Sequence, residues 1–146
     1  MQIPWFLELK SKIEGDVATD EATLDKYSRD ASIFEVRPKA VEFPKNSDDV
    51  KNLVKIVSEN KEKYPKLSLT ARSGGTDMTG GPLTESIIVE FERYFNEIKT
   101  ITTTPNPLLR KEGVSPEAIS HPYEGGERGG RAIVQPGVYY RDFEKE

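Results

Sequence analysis

Between two apolar runs the chain carries the stretch LTARSGGTDMTGGPL, Leu69 to Leu83, with four glycines and three threonines. Glycine loses more backbone freedom on folding than any other residue, so such a cluster marks a sharp turn or a close approach to something else. The flanks narrow the choice. After Pro65, Leu67 and Leu69 alternate as a strand that leads into the glycines, and SIIVEF from Ser86 is a continuous apolar run, the pattern of a buried strand. Further upstream, KAVEFP alternates Val41 and Phe43 inward and ends at Pro44. A helix follows: Ser47 is placed to cap it, Asp48 and Asp49 favour its positive end, and Val50, Leu53, Val54 and Val57 form one apolar face. The order is strand, helix, strand, loop, strand. Two parallel strands joined by the Ser47 helix make a right-handed βαβ unit, which puts the glycine loop at the carboxyl edge of the Leu67 strand, where ligands of open α/β sheets bind.

Two familiar phosphate loops are excluded. No lysine follows the glycines as in a Walker A motif, and no G-x-G-x-x-G opens a dinucleotide helix. What remains is a run of backbone N–H donors with small hydroxyl residues, Arg72 through Thr79, suited to an anion nest around a phosphate or pyrophosphate. On glycine content alone, a solvent-exposed connection with no ligand is the simpler reading.

The rest of the chain adds constraints. Phe6, Leu9 and Ile13 form a helical stripe behind Pro4 that Gly15 stops, and a second helix starts near Asp20 with Leu24 and Tyr27 on one face. From Thr100 to Arg131 the pattern dissolves into Thr, Pro, Gly and charge, which predicts a mobile loop. AIVQPGVYYRDFEKE then resumes as a strand from Ala132 to Gln135, a Pro136–Gly137 turn and the first turn of a helix, where the chain looks cut. One domain of 146 residues with a formal charge of −4 lacks the basic face that nucleic acid requires. Its EGGERGGR is a single acidic-context unit, read as a flexible loop rather than an RNA contact. Without cysteine there is no disulfide, thiolate zinc site or thiol nucleophile, and His121 stands alone in a proline-flanked loop. Of Tyr139 and Tyr140, one is expected buried and one exposed. No basic leader and no apolar run of membrane-spanning length are present, so the expectation is a soluble, cytoplasmic chain.

Taken in order, YSRDAS (Tyr27–Ser32), PKAVEFPKNSDDVKNLVKIV, ARSGGTDMTGG followed by IIVEFERYFNEI, and IVQPGV (Ile133–Val138) span about four-fifths of the chain. This series resembles the FAD-binding domain of the p-cresol methylhydroxylase and vanillyl-alcohol oxidase type. Within it, the D-lactate dehydrogenase and glycolate oxidase flavin subunits look most similar. The resemblance implies an α+β fold, a small mixed sheet with flanking helices, forming the first part of such a domain over residues 1–146.

It also implies FAD as cofactor. Arg72, Ser73, Gly74, Gly75 and Thr76 match the family's R-[SG]-G-G-[TH] turn, which wraps the FAD pyrophosphate with backbone amides, and Asp77, Met78, Thr79 and Gly80 continue that wrap. Pro44 matches the position beside the cofactor at the end of the first strand, and Pro136 and Gly137 match the turn near the same cleft. Many covalently flavinylated members carry histidine where this chain has Thr76, so non-covalent FAD is implied. The second glycine-rich segment and the substrate cap, with the catalytic groups, would lie beyond Glu146. The implied activity is flavin-dependent oxidation of a 2-hydroxy acid such as D-lactate or glycolate. The alternatives are a flavoenzyme like UDP-N-acetylenolpyruvoylglucosamine reductase and a non-enzymatic phosphate-binding or interaction domain on the same fold.

Overall fold

The computed structural model describes residues 4–103 and 130–145. They fall into two units, one of residues 4–96 with 136–145 and one within 97–135. In the first unit, helix α1 (Pro4–Lys12) begins on the proline that the missing N–H of a first helical position tolerates. Leu9 is fully buried, with Phe6 and Ile13 packed against the same cluster, as the stripe predicts. Helix α2 (Glu21–Lys26) is capped by Asp20, whose Oδ1 accepts the Thr23 N–H at 2.9 Å.

Strands β2 (Ala40–Phe43), β3 (Leu69–Arg72) and β4 (Ile87–Glu90) run parallel, and helix α3 (Ser47–Asn60) connects the first two. The sheet is completed by β1 (Asp16–Ala18), an antiparallel edge strand of three residues that no sequence pattern announced, in the order β1-β2-β4-β3. The two strands joined by α3 are therefore parallel as expected but not neighbours. β4 takes the place between them because its IIVE is buried throughout, whereas β3 is only half-buried and suits an edge. Registers Ala40↔Ile87, Leu69↔Ile87 and Arg72↔Glu90 bring the carboxyl ends of all three to one edge.

Each face of this sheet has its own core. Leu9, Ala40, Leu53, Ile56, Leu67, Ile87 and Val89 fill one side, and Leu24, Tyr27, Val41, Phe43 and Ile88 the other. The alternation in KAVEFP thus separates two dry faces rather than core from water, and Glu42 is buried with its neighbours. The α3 face also differs from expectation. Asp49, Leu53 and Ile56 are buried and Val57 packs beside them, but Val54 is 56% exposed. The cap is Asn46 rather than Ser47, its Oδ1 accepting the N–H groups of Asp48 and Asp49 at 2.9 Å.

The second unit holds β5 (Ile98–Thr103) and β6 (Gly130–Val134), an antiparallel pair with an irregularity between Ile98 and Thr100. The expected mobile loop thus starts and ends inside a ladder, because Ile and Thr are β-branched and fit a pleated surface. His121 and most of EGGERGGR lie outside the described residues. In the first unit, the chain ends with α4 (Tyr140–Phe143). Among the described residues no helix is long and apolar enough to cross a membrane.

Candidate glycine-loop site

The glycine loop leaves β3 at the shared carboxyl edge. Gly75 (φ +65°) and Gly80 (φ +83°) are its two left-handed positions, a region costly for residues with a Cβ. The loop is tied from one side: the Ala31 N–H is shared between the carbonyls of Gly75 and Asp77, at 3.1 Å each. The YSRDAS segment therefore anchors the loop. At the far end, Asp77 Oδ1 accepts the Thr79 N–H and hydroxyl at 2.6 Å, and the Thr79 hydroxyl with these amides holds the Asp77 carboxyl below the usual carboxylate range. The N–H groups of Ser73, Gly74, Gly75 and Thr76 have no acceptor among the described residues. Four successive donors without partners are the makings of an anion nest.

Arg72 behaves unlike the rest of its motif. Its Nη1 donates to the Tyr27 carbonyl at 3.3 Å, and Cζ lies 5.0 Å from the centre of the Tyr27 ring. A Cβ built on Gly75 would fall 2.3 Å from Arg72 Nη2, so the guanidinium fills the space that glycine leaves open. Arg72 Nε is buried without a partner among the described residues. The head supports the loop from behind and places positive charge beneath it.

A cleft of about 1060 Å³ opens over the loop, lined on one side by residues 71–77 with Gly81 and Pro82, and on the other by Val138–Arg141 with Asp142, Glu144 and Lys145. Tyr139 joins the two walls. Its ring edge stands 3.4 Å from where a Gly74 Cβ would be, and its hydroxyl donates to Glu92, a bond that pushes its pKa up to about 12. Both adjacent tyrosines are exposed, contrary to the expected division, because they lie past the strand at the start of α4.

Of the residues singled out in the sequence, Arg72, Ser73, Gly74, Gly75, Thr76 and Asp77 line this cleft, whereas Met78, Thr79 and Gly80 form the return beyond it. Pro44 is buried at the end of β2, on the same sheet edge. Pro136 is exposed. Gly137 donates to the Phe95 carbonyl at 2.7 Å, and a Cβ there would strike the Phe91 and Phe95 carbonyls at 2.4 and 2.6 Å. Neither Pro136 nor Gly137 lines the cleft, but Gly137 fixes the segment that does. The second wall was not read from the sequence, where the matching motif stops at Val138.

Comparison with known proteins follows the same outline. Residues 38–146 match the model of a family described as the FAD binding domain. D-2-hydroxyglutarate dehydrogenase of Escherichia coli is 38% identical over 106 residues, covering 73% of this chain and 10% of that protein. Its counterpart in Pseudomonas putida is 35% identical over 100 residues, with 67% and 10% covered. The chain thus spans about a tenth of the length of these relatives. Among solved structures, alkyldihydroxyacetonephosphate synthase superposes with a TM-score of 0.54 at 18% identity, covering 68% of this chain and 20% of that one. The Physcomitrella patens BBE-like 1 protein gives 0.52 at 16%, with 69% and 23% covered. These findings bear out the resemblance and the fold expected from it.

Proposed function

The chain belongs to the FAD binding domain family, and from that premise we propose that it grips the pyrophosphate of FAD as part of an oxidoreductase acting on a 2-hydroxy acid. The observation that carries this reading is the run Ser73 to Thr76, four residues whose N–H groups have no partner among the described residues and which line a cleft at the carboxyl edge of parallel strands. These residues fit the group. A pyrophosphate must come within hydrogen-bond distance of several amides at once, which side chains at Gly74 and Gly75 would obstruct, and Arg72 places a cation behind them. The Asp77–Gly80 return keeps the far end of the nest in shape.

Bound FAD supplies the redox chemistry, while the protein binds and orients it. No described residue is assigned a proton or hydride step. Thr76 offers no imidazole for a histidyl link, so attachment is non-covalent. The relatives carry the name D-2-hydroxyglutarate dehydrogenase, which makes that acid the first substrate to try, ahead of D-lactate and glycolate. Titrating the chain with FAD and following flavin fluorescence tests the reading, with acid denaturation of the complex as a second step. Saturable binding with all flavin released into the supernatant is expected. An absence of binding overturns the flavin reading, and flavin pelleting with the polypeptide overturns non-covalent attachment.

A further inference from the structure

The nest raises an electrostatic problem. A pyrophosphate brings two negative charges, and the charged side chain that the loop itself turns to solvent at the cleft is Asp77, an anion. Arg72 is engaged with the Tyr27 carbonyl and ring. From the loop side the ligand therefore meets amides with a single cation, Arg72, behind them, one positive charge against two negative ones. On the opposite wall stand Arg141 and Lys145, together with Asp142 and Glu144. Lys145 is already paired, its Nζ 2.8 Å from Asp142 Oδ1. Arg141 has no ion pair or hydrogen bond to its guanidinium among the described residues.

The segment presenting Arg141 is held in place. The Gly137 N–H bonds to the Phe95 carbonyl, the Tyr139 hydroxyl bonds to Glu92, and the Tyr139 carbonyl accepts the N–H groups of Asp142 and Phe143 at 3.0 and 3.1 Å. The Tyr139 ring rests against Gly74 of the loop. A cation thus lines the same cleft as the nest, on a backbone tied to the nest through Tyr139.

We propose that Arg141 is a ligand of the FAD pyrophosphate, meeting from the opposite wall the phosphate oxygens that the Ser73–Thr76 amides hold. This rests on the flavin reading above and adds a residue to it. A planar guanidinium offers two parallel N–H donors to a phosphate, which a lysine cannot reproduce in full. The bound anion would then lie between amides on one side and a guanidinium on the other, closing the cleft over its most polar part.

The test titrates the chain with FAD and separately with ADP, which shares the pyrophosphate but lacks the ring, at low and at moderate salt. Arg141→Ala should weaken both ligands about ten-fold and flatten the salt dependence, with Arg141→Lys recovering part of the loss. The unfolding midpoint should not move, because Arg141 is exposed. Lys51→Ala, a cation on α3 outside the cleft, should leave both affinities unchanged. Unchanged binding in Arg141→Ala overturns the proposal alone, as does a loss for FAD with none for ADP, which would put Arg141 at the ring. Failure of the unsubstituted chain to bind either ligand overturns the flavin reading and this proposal with it.

Discussion

Two segments leave the same edge of the sheet, Pro44–Asp49 after β2 and Ser73–Gly81 after β3, and they dispose of their backbone donors in opposite ways. In the first, Asp49 accepts the N–H groups of Glu14, Gly15 and Lys45 at 2.9, 3.1 and 2.9 Å, while Asn46 accepts those of Asp48 and Asp49. Three of the segment's own amides, and two from Glu14 and Gly15, are satisfied by two side chains. In the second, four consecutive residues lining a cleft have N–H groups with no acceptor among the described residues. Position at a carboxyl edge is therefore not what distinguishes a ligand loop. What distinguishes it is whether the chain consumes its own donors, and that can be attacked by substitution on either side.

The largest effect is expected where donors are consumed. Asp49→Ala orphans three N–H groups in part-buried surroundings, and at about 1–3 kcal/mol for each the loss is roughly 3–9 kcal/mol, enough to threaten a domain of ordinary stability. Urea unfolding reads it directly. A midpoint within error of the parent would show that water replaces Asp49, and the contrast between the two segments would collapse.

Glu42 sharpens the same point from the core. It is buried like Asp49 on the α3 side of the sheet, yet neither carboxylate oxygen has a partner among the described residues. Burial, reinforced by the Asp49 charge and opposed by Lys10, raises its pKa to about 8 from an ordinary 4.5. The native state then keeps a proton that the unfolded chain releases. Stability is full below about pH 4.5, falls as pH rises toward 8, and is flat beyond, by roughly 5 kcal/mol in all. Glu42→Gln should remove that slope. Equal slopes for parent and variant in denaturant midpoints between pH 5 and 8 would mean that Glu42 is ionised throughout.

On the open side of the contrast, Gly75→Val puts a β-branched residue at φ +65° and a Cβ 2.3 Å from Arg72 Nη2. The loop must rearrange and its four donors diverge. FAD affinity should fall at least about 100-fold, roughly 2.7 kcal/mol, while far-ultraviolet circular dichroism stays that of the parent. Undiminished FAD affinity would show that the nest is not where the cofactor is held.

The sequence made this loop legible because glycines and small hydroxyls state their backbone requirement locally. Features that depend on partners elsewhere were not legible. β1 is three residues defined by pairing with β2, and β5 finds its partner about thirty residues on, so neither carries a local period. The face of α3 was rotated in the reading because Val54 counts as apolar wherever it points, whereas Asp49 is buried through bonds to Glu14 and Gly15. Glu42 falls on the wet side of the alternation in KAVEFP, and only a sheet covered on both faces buries it. The second wall of the cleft hides for a related reason: Tyr139 touches the loop through Gly74 and Glu92, contacts across more than forty residues.

The smallest effect concerns Asp77, which belongs to both sides of the contrast. Its Oδ1 gathers the Thr79 N–H and hydroxyl and, at 3.4 Å, the Gly81 N–H, so it closes the loop as Asp49 closes the turn before α3. It is nevertheless exposed, and with its carboxyl held below the usual range by Thr79 it stays ionised on the rim of the cleft proposed for the pyrophosphate. Asp77→Asn keeps an oxygen for those donors and discards the charge, so the loop should hold its shape while repulsion of the pyrophosphate is relieved. FAD should bind about two- to threefold tighter at low salt, and the gain should fade as ionic strength rises and screening removes what the charge contributed. Asp77→Ala, which loses the acceptor as well, should bind more weakly than the parent. Weaker binding by Asp77→Asn at low salt would mean that the carboxylate itself is needed by the ligand, and that closing the loop and repelling the anion are not the two opposing tasks this residue performs.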